Sequence, residues 1–200
     1  MNSSGQERHS AHSNRMKAFV NLVLIATAIG CNRSPVQRAV AFDSSAATGK
    51  ALGQYDRNGD HKLSAQELKA SAALSASAAR IDKNRDGSLS EDEVRDRLKT
   101  HESLAGRLLF QVSVSLKGKP LADAAVTFAP APFMGEGAQS YVGTTGANGI
   151  CSLKGREFKT LGVPSGFYEI RITQTDHGID DVRGAEIIND VTRDMVEIAL

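Results

Sequence analysis

The sequence predicts an α+β chain of two domains, a small helical unit followed by an antiparallel β-sandwich. Three observations carry this expectation. Two twelve-residue stretches, Asp56 to Glu67 and Asp82 to Glu93, repeat one another and are flanked by segments whose apolar residues recur at helical spacing. From Gly106 onward that spacing gives way to short alternating segments: Phe110, Val112, Val114 and Leu116 share one face, and Ala124, Val126 and Phe128 share another. Glycine-rich turns separate about seven such segments, the pattern of a sandwich rather than of crossover units.

Composition narrows the function classes. The chain has 200 residues and a formal net charge of +1, so no basic surplus draws it to nucleic acid. Aromatics make up 5% and tryptophan is absent, which predicts a modest core for each domain. Cys31 and Cys151 are the only cysteines, excluding a disulfide-stapled scaffold and a cysteine-based zinc cluster. His9, His12, His61, His101 and His177 are scattered without metal spacing.

Residues 15–31 read RMKAFVNLVLIATAIGC: two basic residues, an apolar run from Ala18 to Gly30, then a cysteine after small residues. The run is short for a bilayer span and has the flanks of a secretory signal. Its ending, Ala28-Ile29-Gly30-Cys31, resembles the bacterial lipobox, with Ala28 where that family prefers leucine. The resemblance implies cleavage before Cys31 and lipidation of its thiol, which would hold the protein on a membrane surface without crossing it. An ordinary signal peptide cut nearby, leaving Cys31 free or paired with Cys151, is the alternative. Residues 1–31 are thus expected to be a signal peptide whose better start is Met16, and residues 32–45 a tether rich in turn formers.

The expected helical unit spans residues 46–100. Both repeats place oxygen donors at alternating positions and close on a glutamate at the twelfth, the layout of an EF-hand calcium loop. In the second loop Asp82, Asn84 and Asp86 occupy positions one, three and five, Gly87 makes the turn at six, and Ser88 offers its carbonyl at seven. Ser90 stands at nine and Glu93, at twelve, can grip the ion with both oxygens. In the first loop Asp56, Asn58, Asp60, the Lys62 carbonyl, Ser64 and Glu67 take the same parts, but position six is His61 where the pattern has glycine. A hard cation such as calcium takes six to eight oxygens, and flexible loops of carboxylates and amides supply them without strain. Leu63 and Leu89, each at position eight, are placed to join a short strand pair between the loops.

The repeats begin 26 residues apart, so Leu68 to Ile81 must serve as both the outgoing helix of one loop and the incoming helix of the next. This spacing resembles compact EF-hand pairs of exported bacterial proteins; dockerin modules are the runner-up. The connecting segment is mostly alanine, with Leu68, Leu74 and Ile81 as its larger side chains, joined by Val94 and Leu98 on the last helix. The first helix, within Ala46 to Tyr55, carries Gly49 and Gly53. So small a core predicts that calcium binding and folding are coupled. Two sites are expected. The second should be the tighter, because Arg57, His61 and Lys62 crowd the first with positive charge while Glu91 and Asp92 follow the second.

The sandwich is expected over residues 106–200. Its candidate strands are Phe110 to Leu116, Ala124 to Phe128, Ser140 to Thr144, Ile150 to Leu153, Tyr168 to Thr173, Ala185 to Ile188 and Met195 to Leu200. Lys117-Gly118-Lys119-Pro120 and Gly146-Ala147-Asn148-Gly149 read as turns. Tyr168, Ile170 and Ile172 are expected in the core, and Cys151 as a small buried hydrophobe. The stretches GKPLADAAVTFAP (118–130), TTGANGICSL (144–153) and GVPSGFYEIRIT (162–173) resemble the transthyretin-like, or carboxypeptidase regulatory-like, domain. The resemblance implies a fold and no reaction.

No nucleophile elbow, phosphate loop or zinc-protease helix is present, and Ser165 has no histidine nearby in sequence. The chain is therefore expected not to be an enzyme. It is expected to be an exported, lipid-anchored, calcium-binding protein of the bacterial cell envelope with a binding or structural role. Its partners would be calcium, a membrane through the anchor, and an envelope protein or glycan. The alternatives are a calcium-dependent accessory subunit of an envelope enzyme and a carbohydrate-binding module.

Overall fold

The structure is a computed structural model that describes residues 43–104, 106–135, 138–157, 161–189, 192 and 194–200. The expected signal peptide, its expected start at Met16 and the expected lipidation site Cys31 lie outside the described residues.

Helix α1 (Ser44–Tyr55) begins where the Asp43 side chain accepts from the Ala46 N–H, two residues inside the stretch read as a tether. Strand β1 (Lys62–Leu63) and helix α2 (Ala65–Leu68) follow. The connecting segment does not run as one helix. It breaks over residues 69–71, where the Ser71 hydroxyl accepts from the Leu74 N–H and starts a new helix, α3 (Ala72–Ile81). Strand β2 (Leu89–Ser90) and helix α4 (Glu91–Ser103) complete the helical half. β1 and β2 pair antiparallel, Leu63 against Leu89, as the apolar residues at position eight predict.

Strands β3 (Arg107–Leu108), β4 (Gln111–Leu116), β5 (Lys119–Pro120) and β6 (Ala125–Pro130) follow. The β4–β5 turn is made by Lys117 and Gly118, both at positive φ (50° and 76°) as a two-residue hairpin requires. After a 3₁₀ turn at Pro132–Met134 come β7 (Tyr141–Thr144), β8 (Ile150–Ser152), β9 (Lys154–Gly155), β10 (Val163–Pro164), β11 (Gly166–Gln174), β12 (Ile179–Ile187) and β13 (Met195–Ala199).

A five-stranded antiparallel sheet runs β12-β11-β6-β7-β9. A second sheet runs β13-β4-β5, with β8 also paired to β4. Their inner faces share one core that includes Val112, Val114, Val126, Phe128, Ile170 and Ile172. Tyr168 and Cys151 lie in it too, as expected. Burial pushes the free Cys151 thiol up to about 11, so it acts as a small apolar side chain. One pairing departs from the expected antiparallel pattern. β13 runs parallel to β4, and Ile198 packs into the core beside Val114.

The helices do not stand on a core of their own. Ala47, Ala51, Leu63, Leu74, Ile81, Val94 and Leu98 pack with Ala131, Phe133 and Phe167, which come from the strand-rich half. Tyr55 meets the Phe133 ring edge-on at 6.3 Å, Phe133 lies 5.7 Å from Phe167, and Phe167 lies 4.9 Å from His101. Burying Phe133 and Phe167 contributes about 2 kcal/mol each, which supplements the alanine-rich helix surface.

Close approach between the halves depends on Gly184 in β12. A Cβ built there would lie 1.8 Å from the Ala72 carbonyl oxygen, at the first turn of α3. Gly184→Ala should therefore push α3 off the sheet and lower stability by about 2 kcal/mol or more, whereas Gly178→Ala, with open space around its Cβ site, should cost only the strain of its positive φ. Denaturant unfolding of the two variants checks the difference.

Candidate functional site

Each loop is drawn around its first aspartate by the loop's own N–H groups. Asp56 accepts from Gly59 through Oδ1 (2.7 Å) and from His61 through Oδ2 (3.0 Å). Asp82 accepts from Asp86 through Oδ1 (3.2 Å) and from Gly87 through Oδ2 (2.9 Å). Asn58 and Asn84 each accept from the residue two further on, Asp60 and Asp86, at 3.1 and 2.8 Å. Those aspartates in turn accept from Lys62 and Ser88, both at 2.9 Å. The two loops thus share the bonds from positions six, five and seven and differ in the donor to the first aspartate's Oδ1, which is position four in the first loop and position five in the second.

His61, the departure at position six, sits at φ 61° in the left-handed region, as that position requires. The second loop holds a matching residue at position four, where Arg85 is at φ 61° and the first loop has Gly59 at φ 73°. Each loop therefore contains one glycine and one side-chain-bearing residue in this conformation. Backbone strain does not distinguish the loops, although the sequence singles out His61.

The closing glutamates lock each loop to its outgoing helix. Ser64 and Ser90 are N-caps, with Glu67 and Glu93 at the third helical position in reciprocal capping boxes. Glu67 accepts from the Arg57 N–H (2.8 Å) with one oxygen and from the Ser64 N–H (2.8 Å) and hydroxyl (2.7 Å) with the other. Glu93 does the same with Lys83 (2.9 Å), Asn84 (3.3 Å) and Ser90 (N–H 2.9 Å, hydroxyl 2.7 Å). The Ser64 N–H and hydroxyl, with the Arg57 N–H, hold the Glu67 carboxyl down at about 2. Burial works against ionisation of Glu93, but the Ser90, Asn84 and Lys83 hydrogen bonds outweigh it and lower its pKa.

The donors at Asp56, Asn58, Asp60, Lys62, Ser64 and Glu67, and at Asp82, Asn84, Asp86, Ser88, Ser90 and Glu93, are all oxygens, and a carboxylate oxygen has a second lone pair beyond the one that accepts an N–H. That donor set fits calcium and suits no softer metal. Each loop has three carboxylates at its expected ligand positions, Asp56, Asp60 and Glu67 in the first and Asp82, Asp86 and Glu93 in the second. Among the described residues no three Asp, Glu, His or Cys side chains are gathered at metal-holding distance.

A second constellation has no local signature in the sequence. Glu186 of β12 and His101 of α4 are both fully buried. Glu186 Oε2 accepts from Arg80 Nε of α3 (3.1 Å), and Oε1 accepts from Arg97 Nε (2.5 Å) and His101 Nε2 (2.8 Å) of α4. The other ring nitrogen of His101, Nδ1, lies 2.6 Å from Ser165 Oγ, at the kink between β10 and β11. Burial alone would raise the Glu186 pKa, but the His101 and Arg97 hydrogen bonds and charges lower it to about 2. An ionised carboxylate only accepts, so Nε2 carries the proton and, in the neutral ring, Nδ1 accepts from the Ser165 hydroxyl. His101 is separated from Ser165 by 64 positions and from Glu186 by 85, which is why no motif marks them.

A cavity of about 110 Å³ adjoins Ser165, bounded by Leu104, Gly106, Arg107, Leu108 and Asn189. Arg107 Nη1 donates to the Tyr141 hydroxyl (2.7 Å). A larger apolar groove of about 350 Å³ lies alongside, where Leu109 and Leu161 are exposed.

Glu67, Glu93 and Glu186 all have lowered carboxyl pKa values, so the stability they contribute is present above the usual 4.5 and is lost as pH falls toward about 2. Unfolding free energy measured across that window should fall steadily. Glu186→Gln should be about 3 kcal/mol less stable at neutral pH, because it leaves Arg80 and Arg97 facing a neutral amide, and should show a shallower acid dependence.

Comparison of the chain with protein-family models, with curated proteins and with solved structures finds no match in any of the three.

Proposed function

We propose that this chain is an exported, lipid-anchored calcium-binding module of the bacterial cell envelope, in which an EF-hand pair rests on a transthyretin-like sandwich. The observation that carries the reading is that both loops repeat the same three turn hydrogen bonds, from positions six, five and seven, and are joined by the β1–β2 pair. When bound, calcium supplies positive charge at the centre of each loop. The chain's own residues do the rest: the aspartates and asparagines present oxygens, the Lys62 and Ser88 carbonyls add theirs, and Glu67 and Glu93 connect the loops to α2 and α4.

Support for the transthyretin-like likeness comes from where its quoted stretches fall: 118–130 forms β5 and β6, 144–153 the Gly149 turn and β8, and 162–173 β10 and β11. Gly149 is at φ 73°, and a Cβ there would meet the Val114 carbonyl at 2.6 Å, so the turn requires glycine. An anchor at Cys31 would leave only a short tether before the Asp43 cap of α1. The exposed Leu109 and Leu161 favour a protein partner, in the manner of an accessory subunit, over a glycan.

Calorimetric titration with calcium tests the reading. Two sites are expected in the range of about 10⁻⁴ to 10⁻³ M, the second loop tighter, with Glu93→Gln weakening that loop by about tenfold or more. Absence of binding heat at millimolar calcium would overturn the proposal; a tighter first loop would reverse the ranking.

A further inference from the structure

We propose that Ser165, His101 and Glu186 form a hydrolytic site for short acyl esters, with Ser165 as its nucleophile. This goes beyond the calcium-binding reading, does not rest on it, and departs from the expectation that the chain is not an enzyme. That expectation rested on local motifs, and this site is assembled from residues far apart in the chain.

The geometry is that of an activated hydroxyl. Ser165 Oγ stands 2.6 Å from His101 Nδ1, and His101 Nε2 stands 2.8 Å from a Glu186 oxygen. A serine becomes nucleophilic when a neighbouring base takes its proton and a third group holds that base in the right tautomer. Here the ionised Glu186 fixes the proton on Nε2, leaving Nδ1 free to accept. Phe167 packs against the imidazole and holds the ring in place.

Ser165 is partly exposed and borders the 110 Å³ cavity, whereas His101 and Glu186 are sealed from solvent. That volume holds about four water-sized groups, the size of an acetyl ester's carboxyl end with its methyl. Leu104 and Leu108 give the cavity apolar walls, and Arg107 and Asn189, also in its lining, are the residues there with side-chain N–H groups for a developing oxyanion, Arg107 having Nη1 engaged by the Tyr141 hydroxyl.

The reaction closes without a cofactor. Ser165 Oγ bonds to the ester carbonyl carbon as its proton passes to His101 Nδ1. The carbon–oxygen bond to the alcohol breaks, and that oxygen leaves with the proton from Nδ1. Water then attacks the acetyl-serine through the same base, releasing acetate and returning the proton to Ser165. Two guanidinium groups share the Glu186 carboxylate, so it offers an imidazolium less stabilisation than an unshared carboxylate would. Turnover is therefore slow, and acylation of the serine is the step to measure.

The full chain, in millimolar calcium, is treated with 4-nitrophenyl acetate and separately with a small fluorophosphonate, beside a Ser165→Ala variant whose fold is checked by circular dichroism. The expected result is a nitrophenolate burst near one equivalent and a single phosphonyl adduct mapped by mass spectrometry to Ser165. In Ser165→Ala acylation should slow by about a hundredfold or more. An adduct on another residue, a variant that reacts at the parent rate, or a folded parent that stays unmodified at millimolar reagent would each overturn the proposal.

Discussion

A buried carboxylate without partners is costly enough that a fold must either neutralise it or surround it with donors. Glu186 is surrounded, and its donors come from elsewhere in the chain: Arg80 from α3, and Arg97 and His101 from α4. Strand β12 can satisfy its own glutamate only if the two helices that frame the second loop lie against it. The same carboxylate that would destabilise an isolated sandwich therefore fixes where the helical half must dock. Gly184, two residues away on β12, removes the side chain that would keep α3 from closing to that distance.

This arrangement changes the role expected of the ion. On sequence grounds the helical unit looks too poor in large apolar side chains to fold without metal. The structure adds Phe133, Phe167 and Ala131 to that core from the strand-rich half, and adds an ionic cluster beneath it. Under the proposed calcium binding, the ion would act mainly on the loops, whose first aspartates and closing glutamates already hold the backbone in shape, while docking on β11 and β12 holds the helices. The ends of the loops and the docked face meet in α3 and α4, so any force the ion applies to Glu93 is applied to the helix that carries Arg97 and His101.

What could be read from the chain, and what could not, divides by range. The oxygen-bearing positions of each loop are legible because the repeat writes them at fixed local offsets, and the Leu63–Leu89 pairing follows from position eight of each repeat. The Lys117-Gly118 turn and the alternation of Val112 with Val114 were legible for the same reason. The parallel approach of β13 to β4, the closeness of Gly184 to Ala72 and the meeting of Ser165, His101 and Glu186 involve residues that only tertiary packing brings together. Ser165 carries no local mark because its histidine stands 64 positions away. His61 stands out in sequence because position six usually holds glycine, whereas Arg85, at the same φ of 61° in the other loop, carries no such mark.

Helices and sheets are held together around Glu186 and should behave as one cooperative body. Urea unfolding of a Tyr55→Phe variant in calcium-containing buffer tests this, with dichroism at about 222 nm reporting the helices and near-ultraviolet dichroism reporting Tyr141 and Tyr168, the two tyrosines packed between the sheets. The account expects the two signals to change together in a single transition. A helical signal lost at distinctly lower urea, with the aromatic signal of the sandwich intact, would contradict it.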